Sequence, residues 1–286
     1  MLKHRLIFGT LMTLVFIGIV LLDGYLDGSL TVSIDDDKHV RGTLLIILVA
    51  LLIIPGLFEL SKLAAAKGAK ILLPCSIPAS ILLATNWYWL QFTGSGIRVT
   101  CSVLLCFAVM SCFLYQRLRY GISGVLVNCG AACFSMLYLG LLGGFIPAVR
   151  IDFGPWHLLM LIFVVKCSDI GAYTAGLLFG KHKFSPVISP KKTWEGMIGA
   201  VAMAAVVAVV FAVCCDIMAW WLGAVFGIVF AFIGQMGDLA ESMLKRDAEK
   251  KDASNNVPGF GGILDVVDSV LVTAPFGYLF FFLLRR

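Results

Sequence analysis

The sequence predicts an all-α, polytopic integral membrane protein of about nine transmembrane helices, with the N-terminus inside and the C-terminus outside. Three observations lead there. First, 60% of the 286 residues are hydrophobic and only 14% are charged, with a mean hydropathy of +0.98. A soluble domain of that length needs more polar surface. Second, apolar runs of roughly 18–25 residues recur, the length at which a helix crosses the hydrocarbon core. Helices satisfy their own backbone polar groups in lipid, and the alternating ten-residue strands of a barrel are not seen. Third, basic residues concentrate in every second connecting segment.

The expected spans are about 6–22, 43–60, 70–91, 97–115, 122–146, 155–180, 194–214, 217–244 and 263–284. The first follows Lys3 and Arg5 and has no small-x-small cleavage site after it, so it is read as a retained helix rather than a signal peptide. With the N-terminus inside, the inner segments carry Lys3, Arg5, Lys62, Lys67, Lys70, Arg117, Arg119, Lys181, Lys183, Lys191, Lys192, Lys245, Arg246, Lys250 and Lys251, which is 15 of the 22 basic residues. The outer segments carry six, Lys38, Arg41, Arg98, Arg150, Arg285 and Arg286, and Lys166 falls inside a span. The chain divides into an N-terminal region, 1–150, of about five helices and a C-terminal region, 151–286, of about four. The latter includes two polar inner loops, 181–194 and 245–262.

Nine cysteines lie mostly in apolar runs without a C-x-x-C pair, which reads as core packing rather than a zinc site or disulfide framework. The four histidines lack metal-ligand spacing. No Walker A loop, G-x-S-x-G elbow or Ser-His-Asp arrangement is present. The sequence pI of about 8.7 reflects loop charge, so nucleic acid is not an expected partner. No internal repeat supports an inverted-repeat transporter.

Chemistry concentrates in residues 238–268. Asp238, Glu241, Ser242 and Lys245 are spaced to share one face of a helix arriving at the inner surface. After Pro258-Gly259-Phe260-Gly261-Gly262, Asp265 and Asp268 share one face of the next helix. A helix dipole rewards Asp265 by about 0.3–1 kcal/mol. It does not account for Asp268 entering an apolar run, and an ionisable residue there is a functional candidate. Antiparallel neighbours would bring Asp238, Asp265 and Asp268 to one depth, where their repulsion calls for a divalent cation and suits Mg²⁺. Lys191, Lys192, Lys245, Arg246, Lys250 and Lys251 suit phosphates. Gly261 and Gly262 leave N–H groups at a helix start, an anion site in its own right. Together these read as phosphoryl or nucleotidyl transfer. Thr193 is the expected N-cap of the seventh span, with Glu195 in its first turn. Lys166 and Asp169 read either as a buried structural ion pair or as part of a polar path. Tyr173 reads either as lining for that path or as core.

At this point the residues resemble a known family. Ser242, Leu244, Lys245, Arg246, Lys251, Asp252, Ser254, Val257, Pro258, Gly259, Gly261, Gly262, Leu264, Asp265 and Asp268 are similar to the signature of the phosphatidate cytidylyltransferases. The stretch "KHKFSPVISPKKTWEG" with Asp169 is similar to that family's second motif. The two motifs cover most of the last 120 residues, while the first half matches only in being apolar. The resemblance implies transfer of CMP from CTP to phosphatidate, giving CDP-diacylglycerol and pyrophosphate. It implies Mg²⁺, held by Asp238, Asp265 and Asp268, with a second, monovalent cation as a further expectation. Ser242, Lys245 and Asp265 would be catalytic. Lys191, Lys192, Arg246, Lys251, Gly261 and Gly262 would bind substrate. Asp252 would order the basic loop. The resemblance also implies a homodimer. The chain's size points to a bacterial inner membrane, with a eukaryotic internal membrane as the alternative, and the charge-based topology places the site on the cytoplasmic side. Two positions depart from the family pattern: Phe260 stands where His is usual, and Val266 where Arg is usual. The rival readings are a cation-coupled transporter using Lys166, Asp169, Asp238 and Asp268, an inactive lipid-binding scaffold, and a divergent member acting on another lipid phosphate or nucleotide.

Overall fold

The computed structural model describes residues 2–30, 40–93, 97–251, 253–254 and 261–285. Among these residues the structure is helical and contains no strand, only one isolated antiparallel bridge between Lys183 and Thr193. Among the described residues, eight helices are long and apolar enough to cross a membrane: Phe8–Leu26, Thr43–Ala66, Val99–Tyr120, Val125–Phe153, Pro155–Phe179, Trp194–Cys214, Trp220–Asp247 and Ile263–Leu284. The chain is an integral membrane protein by that measure. The helices are labelled α1 (Leu2–Leu26), α2 (Thr43–Ala66), α3 (Leu73–Ala84), α4 (Asn86–Thr93), α5 (Ile97–Tyr120), α6 (Val125–Ser135), α7 (Leu142–Phe153), α8 (Pro155–Phe179), α9 (Trp194–Cys214), α10 (Trp220–Asp247) and α11 (Ile263–Leu284). A π-helical segment, Met136–Leu141, joins α6 to α7.

The third expected span, 70–91, is not one helix. It is α3, of 12 residues, followed by α4, of 8 residues. The break falls at Thr85, whose hydroxyl and backbone N–H both turn back to the Ile81 carbonyl. Polar contacts then hold α4: Trp87 Nε1 donates to Asp152 at 3.2 Å, and Gln91 exchanges two hydrogen bonds with the Arg41 backbone. A hydropathy window averages over such a break because both pieces are apolar.

The chain forms two compact units. One comprises Met1–Asp152 with Asp247–Val266, and the other Phe153–Arg246 with Val267–Arg286. In the first unit, Leu72, Leu83, Ala108, Cys112, Cys129, Ala132 and Met136 form a buried apolar cluster among α3, α5 and α6. Arg150 is fully buried there, with Nε 3.1 Å from Asp23 and Nη2 2.7 Å from Asp27. The two carboxylates also accept the backbone N–H groups of Leu44 and Gly42.

In the second unit, small residues set the helix spacing. Ala200, Ala204, Ala208 and Ala212 are buried at every fourth position of α9. A side chain added at Gly223 or Gly227 of α10 would strike that stripe. Gly171 and Ala175 of α8 meet Gly199 of α9 in the same close way. Lipid gives helices no hydrophobic reason to associate, so close backbone approach over small residues supplies the packing. Thr193 caps α9 as expected, its hydroxyl accepting from Gly196 N at 3.1 Å. Glu195 accepts from the backbone of Lys181 and His182 and lies 2.6 Å from His182 Nδ1, closing the 181–194 loop on itself.

Candidate active site

The second unit gathers three carboxylates at one point. Asp238 and Glu241 project from α10, and Asp268 from α11. One ligand oxygen from each lies within 4.8 Å of the others, close enough for one metal ion. The α10–α11 approach that allows this is tight. A Cβ at Gly237 would stand 3.1 Å from both Ser269 Cα and Val272 Cβ. Glu241 is fully buried, Asp268 nearly so, and Asp238 half-buried. Burying an ionised carboxylate is costly without a counter-charge. Two lysines supply it: Lys192 Nζ lies 2.7 Å from Asp238 Oδ2, and Lys245 Nζ 2.6 Å from Glu241 Oε2.

A second polar layer adjoins this group. Lys166 Nζ is 3.9 Å from Asp169 Oδ2 and donates to Ser269 Oγ at 3.1 Å. Gln235 Nε2 donates to Asp169 Oδ1 at 3.0 Å. The Lys166 and Asp169 side chains are 36% and 35% exposed. Neither side chain is fully buried, so within this unit they do not form a sealed ion pair. Tyr173 is exposed and so is not core there.

The expected site residues divide between the two units. Asp238, Asp268, Ser242, Lys192 and Lys245 come together in the second. Ser242 Oγ is 3.5 Å from Asp238 Oδ1. Arg246 Nε donates to the Ile188 carbonyl at 3.2 Å, tying the end of α10 to the 181–194 loop. Lys191 is exposed. Glu241 joins the carboxylate group although the sequence reading placed it only on the shared face. Its signal was the i, i+3 spacing from Asp238.

Lys251, Gly261, Gly262 and Asp265 belong to the first unit. Here the structure changes the expectation of a phosphate site at the start of α11. Asp265 Oδ2 accepts from Gly262 N at 2.6 Å and from Ala253 N at 3.1 Å. Glu59, fully buried on α2, accepts from Ile263 N at 3.1 Å, Leu264 N at 2.9 Å and Ser254 Oγ at 2.6 Å. The helix start thus holds two carboxylates of the chain itself, and its positive dipole end is matched by them. Gly262 is required because any Cβ would overlap the Glu59 carboxylate. Gly261 takes a φ of +100°, a region that favours glycine. Asp252 and Phe260 lie outside the described residues; Val266 is half-buried at the edge of the first unit.

The sequence profile of the cytidylyltransferase family matches residues 3–284. Among relatives, a phosphatidate cytidylyltransferase of Staphylococcus haemolyticus is 32% identical over 229 residues, covering 80% of this chain and 79% of that protein. One from Brucella suis is 35% identical over 199 residues, covering 68% and 72%. One from Mycobacterium bovis is 40% identical over 119 residues, covering 42% of this chain and 39% of that protein. The match thus spans about two fifths of the mycobacterial relative's length. The profile runs across both units, from the first helix to the last, and the chain belongs to the cytidylyltransferase family.

Proposed function

We propose that this chain is an integral-membrane phosphatidate cytidylyltransferase. It would transfer CMP from CTP to phosphatidate and release pyrophosphate. The observation that carries the reading is the group Asp238, Glu241 and Asp268, clasped by Lys192 and Lys245. Three hard oxygen donors at that spacing fit Mg²⁺, which keeps positions for phosphate oxygens. Bound there, Mg²⁺ would neutralise charge on the phosphates. A phosphate monoester is already an anionic nucleophile at neutral pH. Its oxygen would attack the α-phosphorus of CTP, and the bond from that phosphorus to the bridging oxygen would break. Lys192 and Lys245 would neutralise phosphate oxygens, with Lys191 at the exposed rim. Ser242 would orient Asp238, and Arg246 would hold the 181–194 loop. Roles for Lys251, Gly261 and Asp265 rest on the family resemblance. Asp265 would act through the loop it fastens.

For topology we propose that α3 and α4 cross the membrane together as a broken span, making nine crossings with the N-terminus inside. Their combined length from 73 to 93 suffices, at about 1.5 Å per residue, for a core of about 30 Å. If they did not cross, both lysine-rich loops would face outward, against the positive-inside rule. A bacterial inner membrane, a homodimer and a monovalent-cation requirement belong to the same proposal.

The test is formation of CDP-diacylglycerol by the purified protein in detergent with CTP, phosphatidate and Mg²⁺. Turnover should be abolished by chelation. Asp268→Asn should lower it by more than the roughly 10–100-fold typical of an outer-shell metal partner. Absence of product across a range of lipid phosphates and metals would overturn the assignment.

A further inference from the structure

The two lysines bind the same carboxylates that a cation would need. Lys192 Nζ sits 2.7 Å from Asp238 Oδ2, with its side chain only 15% exposed. Lys245 Nζ sits 2.6 Å from Glu241 Oε2, 12% exposed against a fully buried partner. Two of the three carboxylates in the group are therefore already neutralised at hydrogen-bond distance. A divalent cation lies about 2.0–2.1 Å from its oxygens. Sharing a carboxylate with an ammonium group would place like charges within a few ångströms in a poorly solvated pocket, where their repulsion is strong. Each lysine is a compact charge on a flexible four-carbon stem, able to turn away. Lys192 already divides its donors, giving a second hydrogen bond to the Gln235 carbonyl at 3.3 Å. The third carboxylate of the group, Asp268, would itself be taken by the cation, while a nucleoside triphosphate carries several anionic oxygens.

We infer that Lys192 and Lys245 are exchangeable counter-ions, held by Asp238 and Glu241 until a divalent cation takes those carboxylates and then passed to the phosphates of the nucleotide. This rests on the reading that the three carboxylates hold the cation of a nucleotidyl transfer. The consequence is linkage. Cation and triphosphate strengthen each other's binding, because each removes a cost that the other would face alone, and the strengthening is reciprocal. The lysines oppose the cation when it comes alone and support it when it comes with nucleotide.

The experiment measures Mn²⁺ binding to the full-length detergent-purified protein by electron paramagnetic resonance, with and without a non-reacting CTP analogue. Lys192→Met and Lys245→Met should each bind Mn²⁺ about fivefold or more tightly than wild type when nucleotide is absent. Both should show a smaller gain on adding the analogue. Lys192→Arg and Lys245→Arg keep the ion pairs and should stay near wild type. Lys191→Met removes the same charge one residue away and should change Mn²⁺ affinity much less. Unchanged or weaker Mn²⁺ binding in the two methionine variants overturns the inference. So does equal tightening in Lys191→Met, which would show a general charge effect. Asp268→Asn separates the two levels: if wild type binds no Mn²⁺, or Asp268→Asn binds it as wild type does, the cation site falls and the exchange with it. If Asp268→Asn loses Mn²⁺ while the methionine variants match wild type, only the exchange falls.

Discussion

Glu59 does for α11 what a capping side chain normally does from within its own helix, but it reaches there from α2. It accepts the first two N–H groups of α11 and the Ser254 hydroxyl while fully buried. Glu59→Ala should therefore leave buried donors without their acceptor, a loss of about 1–3 kcal/mol for each donor that finds no replacement. Thermal unfolding in detergent should fall clearly for Glu59→Ala and less for Glu59→Gln, whose amide oxygen still accepts. Equal midpoints for Glu59→Ala and wild type would refute the cap. Asp238 and Asp268 were legible in the sequence because a carboxylate in an apolar run is too expensive to be idle. Glu241 was half-legible through its spacing. Glu59 was not, because its partners lie 204 and 205 positions away in the chain and no local pattern records such a pairing. Nor could the glycines before α11 reveal that the chain supplies its own anions to that helix start.

The helices owe their contacts to what their glycines and alanines leave out. Gly237 has Ser269 and Val272 of α11 at its surface, one residue from Asp238 and one from Asp268. Gly237→Val should push α10 from α11 and spread the carboxylates while the protein still inserts. Cytidylyl transfer should fall by about 100-fold, since ångström-scale misplacement of a reacting group costs that much. Near-normal turnover would mean the helices can separate without harm. Most elements were readable from apolar runs, and the N-cap at Thr193 from its local pattern. The interruption at Thr85 was not. A threonine turning its hydroxyl to the preceding carbonyl occurs within helices as well as at their ends, and here contacts from Asp152 and Arg41 hold the continuation as a separate helix.

For the whole molecule, charge asymmetry carries the proposed orientation. In single-cysteine variants made without the native cysteines, Lys67→Cys and Lys191→Cys should react with a membrane-impermeant maleimide only after cell lysis. Asp216→Cys, in the short α9–α10 connection, should react on intact cells. Labelling of Lys67 and Lys191 from opposite sides would show that α3 and α4 do not cross together. The sequence by itself determined the class of protein, its number of long apolar helices to within one, and the two segments that resemble the family's motifs, because hydropathy, charge bias and short motifs are local and additive along the chain. Only the tertiary structure decided which carboxylates meet. Asp238, Glu241 and Asp268 converge because glycines let α10 and α11 touch. Asp265 is instead turned to the backbone of Gly262 and Ala253. That choice depends on helix rotation and on contacts between distant segments, to which spacing along one helix is blind.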